Sequence, residues 1–147
     1  MRRLFIIRKD LNLKPGKLMA MVGHLCEAYW TNLLKNTAKD QHLTFEDGVI
    51  LRVDIDRDIW DNYVNDKFTK TICECKNLNQ LKKAEIIATE LGLKQDVDWG
   101  YINDSCLTDL TPENADGTTT IGIWFKPLAD DIAHQISKKY MLYGKFD

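Results

Sequence analysis

Four successive apolar residues, Leu4-Phe5-Ile6-Ile7, followed at once by basic and polar ones, place the tightest constraint on this chain. A strand with no polar side cannot lie on a surface. It has to be covered from both faces, as a central strand of a layered α/β fold is. The next residues fit that reading. Lys9 to Gly16 carries Asp10, Asn12, Pro15 and Gly16 and reads as a loop. From Lys17 onward Leu18, Met21, Val22, Leu25, Tyr29 and Leu33 recur at helical i, i+3, i+4, i+7 spacing, with Pro15 suited to a helix start.

Further along, strand and helix patterns keep alternating. Residues 36–48 are polar and read as a loop, and Val49 to Ile55 alternates like a strand or ribbon. Ile59 to Tyr63 suits a short helix, and Thr69 to Cys75 a strand. Asn77 to Leu91 is helical, with Gly92 placed to end it. Asp98 to Asn103 and Thr118 to Phe125 read as strands joined by a polar loop, and Pro127 opens a third helix reaching about Tyr140. The last two strands have no helix between them and are expected to be antiparallel. The fold class is therefore α/β. One domain over residues 1–147 is expected, a three-layer sandwich with a mixed, mostly parallel sheet of about four strands and helices on both faces.

Composition narrows the function classes. With 44% hydrophobic and 29% charged residues the chain can bury a core without staples, which excludes a disordered tail. No apolar run approaches the roughly 20 residues of a membrane span, and no signal-peptide core follows Arg2 and Arg3, so a cytoplasmic protein without a membrane partner is expected. Cys26, Cys73, Cys75 and Cys106 form no CxxC pair. Cys73 and Cys75, two apart, are taken to point to opposite faces of their strand, so reduced buried thiols and no metal are expected. The net charge of −2 argues against a general polyanion binder, yet residues 2–17 hold six basic groups against Asp10 alone, while residues 46–66 are acidic. That polarity leaves room for a local phosphate site.

Lys17, Met21 and His24 are spaced by four and three residues and share one helix face. A lysine in a first helical turn lies beside free N–H groups and the positive dipole end, a seat for a phosphate or an oxyanion. It is equally the commonplace solvated lysine of a helix start, as His24 is equally a core histidine. Asp104 and Thr108 follow a strand, where open α/β sheets carry ligand groups, and could as well only organise a turn. Cys106 lies between them and invites a nucleophile reading.

Arg8-x-Asp10-Leu11, Gly16-Lys17, then Ala20 and His24, followed much later by Asp104, Thr108, Pro112, Thr119 and Gly122, stand in the order seen in type 2 peptidyl-tRNA hydrolases. The chain resembles that family over about three quarters of its length. Residues 36–68 are left as a longer, acidic insertion. The resemblance implies hydrolysis of the ester of peptidyl-tRNA, without a metal or organic cofactor. It places Asp104 at the water, Lys17 at the oxyanion or terminal phosphate, Thr108 and Thr119 as positioning hydroxyls, and His24 in support. Arg8, Lys9 and Lys14 are expected at the tRNA backbone, and homodimerisation is left open. No matched position supports Cys106 as a nucleophile. Four departures stand out: Met21 where glutamine is usual, Leu107 where arginine is usual, Pro15 where lysine is usual, and a loop from Glu113 to Thr118 about three residues longer, whose added acids Glu113 and Asp116 are expected to repel a polyanion. The alternative they raise is a non-catalytic member that binds tRNA or a protein partner through the same face.

Overall fold

The computed structural model describes residues 1–40 and 43–147. In chain order the elements are β1 (Arg3–Arg8), α1 (Pro15–Asp40), β2 (Leu43–Phe45), β3 (Gly48–Ile50), α2 (Arg57–Ile59), β4 (Lys70–Cys75), α3 (Leu78–Glu90), β5 (Trp99–Asp104), β6 (Thr119–Phe125), α4 (Asp130–Ser137) and β7 (Met141–Leu142). A π-helical turn, Trp60–Val64, continues α2 without a break.

The main sheet is mixed, in the order β5-β6-β1-β4-β7, with all six residues of β1 buried at its centre. Phe5 and Ile7 turn to one side and pack with Met21, Leu25 and Tyr29 of α1. Leu4 and Ile6 turn to the other and pack with Leu81, Ala84 and Ala88 of α3 and Ala133 and Ile136 of α4. This is the period of two applied to a run with no polar member. Arg3, also fully buried, straps the layers together: its guanidinium donates to the Phe125 carbonyl at 2.6 Å and to the α1 carbonyls of Cys26 and Leu25 at 2.9 and 3.2 Å.

Several expectations are corrected. Among neighbouring strands only β1 and β4 run parallel, because β6 inserts between β1 and β5 and is antiparallel to both. The sheet has five strands instead of about four; β7 is two residues long and leaves no pattern in the sequence. Nothing between Lys35 and Asp40 stops α1, so it runs through the start of the expected 36–48 loop. The remainder of that loop, beyond residues 41 and 42, which lie outside the described residues, becomes the β2–β3 hairpin. Val49–Ile55 is a strand only to Ile50, which pairs with Leu43 at the end of the described hairpin. Helix α4 starts at Asp130, not Pro127, because Leu128 exchanges both backbone hydrogen bonds with Arg2 at 2.9 Å. Cys73 and Cys75 enter the same core cluster, since a spacing of two is the same-face spacing of a strand.

Local signals hold elsewhere. The Asn77 side chain caps α3 by accepting from the Gln80 N–H at 2.9 Å, and Gly92 closes the helix at φ +77°. The Gly92 and Leu93 N–H groups reach the Thr89 and Ala88 carbonyls, both at 3.0 Å, which is the Schellman pattern. Among the described residues no helix is long and apolar enough to cross a membrane.

Gly122 is where the sheet's centre is tightest. A Cβ there would stand 2.5 Å from the Ile6 carbonyl oxygen of β1 and 3.4 Å from Leu25. Neither backbone strand can retreat without disturbing the core on both faces. Gly122→Ala is therefore expected to lower unfolding free energy by about 1–3 kcal/mol in urea titration; an unchanged midpoint would show that the β1–β6 contact yields.

Candidate active site

Three chain segments meet at the edge of the sheet where β1 and β5 end and β6 begins. Asp104 is the last residue of β5 and pairs across the ladder with Thr119, the first of β6. Between Ile102 and Asn103 the register shifts, leaving Ile121 of β6 as the extra residue of a bulge. The shift lets Ile121 and Trp124 both face α1 while Ile123 and Phe125 face α3. Asp104, two residues beyond Ile102, points to the α1 side as well.

There it meets Lys17, in the first turn of α1. Lys17 Nζ donates to Asp104 Oδ1 at 2.7 Å, and the Cys106 backbone N–H donates to Oδ2 at 3.0 Å. Asp104 is 8% exposed and Lys17 23%. The Lys17 hydrogen bond is the main cause that holds the Asp104 carboxyl below the usual carboxylate range; burial opposes it, and the Cys106 N–H and His24 add smaller pulls in the same direction. The Lys17 ammonium has two further N–H donors beyond the one given to Asp104.

The loop after Asp104 turns back at Cys106, which sits at φ +60° with its Sγ 3.5 Å from the Asp104 carbonyl and 3.4 Å from Thr119 Oγ1. Thr119 is fully buried. Its hydroxyl donates to the Thr111 carbonyl at 2.6 Å and accepts from the Glu113 N–H at 3.1 Å. Thr119 thus pins the loop. The far end of that loop is bound in turn: Asn114 bridges Thr118 and Thr120, and Asp116 accepts from the N–H and hydroxyl of Thr118.

Arg8 takes a role the sequence did not suggest. It is 3% exposed, so it is withdrawn from the expected tRNA contacts. Its guanidinium binds Asp10 through Nε and Nη2 at 3.1 and 2.8 Å, Glu113 through Nη1 and Nη2 at 2.7 and 3.1 Å, and the Thr120 carbonyl at 3.1 Å. Glu113, expected to repel a polyanion, is this arginine's counter-ion, and the Arg8 hydrogen bond draws its carboxyl pKa down. The signal that was missed lies 105 residues from Arg8 and no local pattern could link the two.

The remaining expected residues divide. His24 is exposed and lines a shallow cleft between α1 and β5 with Asn103 and Trp124. Thr108 is exposed in the loop, as is Lys14 just ahead of α1. Lys9 turns away toward the chain's end, bonded to Asp147, 3.6 Å from Glu74 and 4.5 Å from the centre of the Tyr143 ring. Met21 is 5% exposed and belongs to the core, whereas Leu107 is 87% exposed beside the site. Among the described residues no three His, Cys, Asp or Glu side chains are placed to hold a metal ion.

The family model described as peptidyl-tRNA hydrolase PTH2 matches residues 1–143 of the 147. No curated protein matches the chain.

A carboxyl whose folded pKa is depressed stabilises the fold above its unfolded pKa, near 4, and loses that stabilisation as pH falls through the lower folded value. Asp104 and Glu113 therefore contribute fully from about pH 5 upward and fail in acid. Urea midpoints are expected to stay level between about pH 5 and 8 and to drop below about pH 4, with a smaller acid drop in Asp104→Asn. An equal acid drop in that variant would show that the Lys17 pair adds nothing to stability.

Proposed function

The chain belongs to the peptidyl-tRNA hydrolase PTH2 family, and from that premise we propose that it cleaves the ester joining a peptide's carboxyl end to the terminal ribose of tRNA. The observation that carries the reading is the Lys17–Asp104 pair, 2.7 Å apart where a helix start meets a strand end. Ligands of open α/β sheets bind at such an edge.

In this proposal Asp104 aims the attacking water and does not act as a strong base, because a carboxylate held below its usual range is a poor proton acceptor near neutrality. The water oxygen forms the new bond to the carbonyl carbon. Lys17 turns one of its remaining N–H groups to the oxyanion that develops, a role worth about 3–4 kcal/mol in comparable sites. The bond to the ribose oxygen then breaks, and the proton given up by the water ends on that oxygen. Products are a tRNA hydroxyl and a peptide carboxylic acid, which releases water's second proton to solvent and leaves as the carboxylate. Thr108, exposed in the loop after Asp104, positions substrate, and His24 supports Asp104 electrostatically. Thr119 acts through the loop it pins. Lys14, and Lys9 once released from Asp147, contact the tRNA backbone. No cofactor enters these steps.

A second reading has its own support. Leu107, 87% exposed, and Met21, inside the core, stand where the family usually carries arginine and glutamine. A protein with those two changes could keep the fold for binding tRNA alone.

Turnover of an N-acetylated aminoacyl-tRNA at low salt separates the two. The expected outcome is cleavage by the wild type, with kcat reduced about 10²–10³-fold in Lys17→Ala and in Asp104→Asn and both variants folded. Full turnover by Asp104→Asn would remove Asp104 from the chemistry. Binding without cleavage by the wild type would establish the second reading.

A further inference from the structure

A cavity of about 590 Å³ opens where β4 ends, between the start of α3 and the end of α4, and Lys9, Lys76 and Lys139 line it. The acids on its wall are already engaged. Asp10 is held by Arg8 at 2.8 Å, and Glu74, 14% exposed, lies 3.6 Å from Lys9 and accepts from the Gly144 N–H at 3.0 Å. Lys76 and Lys139 are exposed and have no acidic partner among the described residues. Their frame is built: the Gln80 side chain accepts from the Lys76 N–H, and the Tyr140 hydroxyl donates to the Gln80 carbonyl at 2.8 Å. Lys9 already holds an anion, the Asp147 carboxylate, in an exposed pair that a stronger anion can displace at little cost.

The place of the cavity identifies the anion. Asp104 ends β5, Arg8 ends β1 and pairs with Cys75 at the end of β4, so the cavity lies three strands from the Lys17–Asp104 pair along one sheet edge. At about 4.8 Å per strand the lateral part of that separation is about 14 Å, the rise of about four stacked nucleotides, and the path from the α1 side of the sheet to the α3 and α4 side adds to it. We propose that this cavity takes phosphates of the single-stranded 3′ end of the tRNA, and that Lys76 and Lys139 are the residues that bind them while the terminal ribose lies at Lys17 and Asp104. The assignment rests on the hydrolase reading above. It deepens that reading by giving the strand a direction, from β5 across β1 to β4, and a length below which a substrate cannot reach the second site.

The test compares two esters, an N-acetylated aminoacyl-tRNA and the same N-acetylated amino acid on adenosine alone, with the variant K76A/K139A and a charge-matched control, K67A/K94A. Lys67 and Lys94 lie before the starts of β4 and β5, at the opposite edge of the sheet. For the tRNA ester the lysine pair of the cavity is expected to raise KM on the order of tenfold at low salt and to lower the salt slope of binding by about 0.7 per lysine, with kcat held within about twofold. The adenosine ester, too short to span the edge, is expected to show no change in KM, and the control none with either ester. An unchanged KM for tRNA overturns the proposal. So does an equal rise with both esters, or an equal rise in the control. Should the wild type cleave neither ester, the hydrolase reading fails by itself, and anisotropy with end-labelled tRNA then decides: weaker binding by K76A/K139A than by K67A/K94A sustains the site, and equal binding removes it.

Discussion

The guanidinium of Arg8 ties together the pieces on which the candidate active site depends. It ends the central strand, is almost wholly buried, and reaches Asp10 of the loop that leads into α1, Glu113 of the loop that leads into β6, and the Thr120 carbonyl of β6 itself. Lys17 is carried by the element the first of these loops opens, and Asp104 stands at the start of the connection that contains Glu113. Burying a charge is costly unless its hydrogen bonds and counter-charges are supplied, and here two carboxylates and a carbonyl supply them. Removing Arg8 would leave the two carboxylates without their shared cation. Two loops more than a hundred residues apart in the chain are thereby held in one arrangement, which is the preorganisation that an electrostatically driven site needs.

Thr119 extends the same scaffold. Its hydroxyl links Thr111, Glu113 and Cys106 around the mouth of the loop, so the backbone N–H of Cys106 is presented to Asp104 while Lys17 approaches from the other side. Asp104 is thus fixed by one charged donor and one backbone donor. Its lowered pKa follows from that geometry. The departures at Met21 and Leu107 act outside this frame. Met21 fills core space under α1, and Leu107 projects into solvent, so neither disturbs the Lys17–Asp104 contact.

What the sequence made legible was local. Four apolar residues in a row announced a strand covered on both sides, the stripe from Leu18 to Leu33 announced α1, and Asn77 and Gly92 marked the ends of α3 within a residue. The order of strands was not legible, because β6 takes its place between β1 and β5 through contacts between distant segments. The end of α1 and the β2–β3 hairpin were hidden by a polar stretch whose composition suits a loop as well as a helix. In the site, spacing put Lys17 in a first helical turn and Asp104 after a strand, but only the family resemblance linked two residues 87 apart. Charge counting went astray at Arg8 and Glu113 because it treats each group as facing solvent. Their pairing turns one expected phosphate contact and one expected repulsion into a single internal cross-link.

The central claim is that Lys17 and Asp104 act as one unit on the ester. A double-mutant cycle tests it most directly: kcat/KM for N-acetylated aminoacyl-tRNA measured for the wild type, Lys17→Ala, Asp104→Asn and the double variant. The account predicts strong non-additivity, with the double variant about as slow as the slower single one. Losses that multiply, each substitution costing the same in the presence or absence of the other, would contradict it and separate the two residues into independent roles.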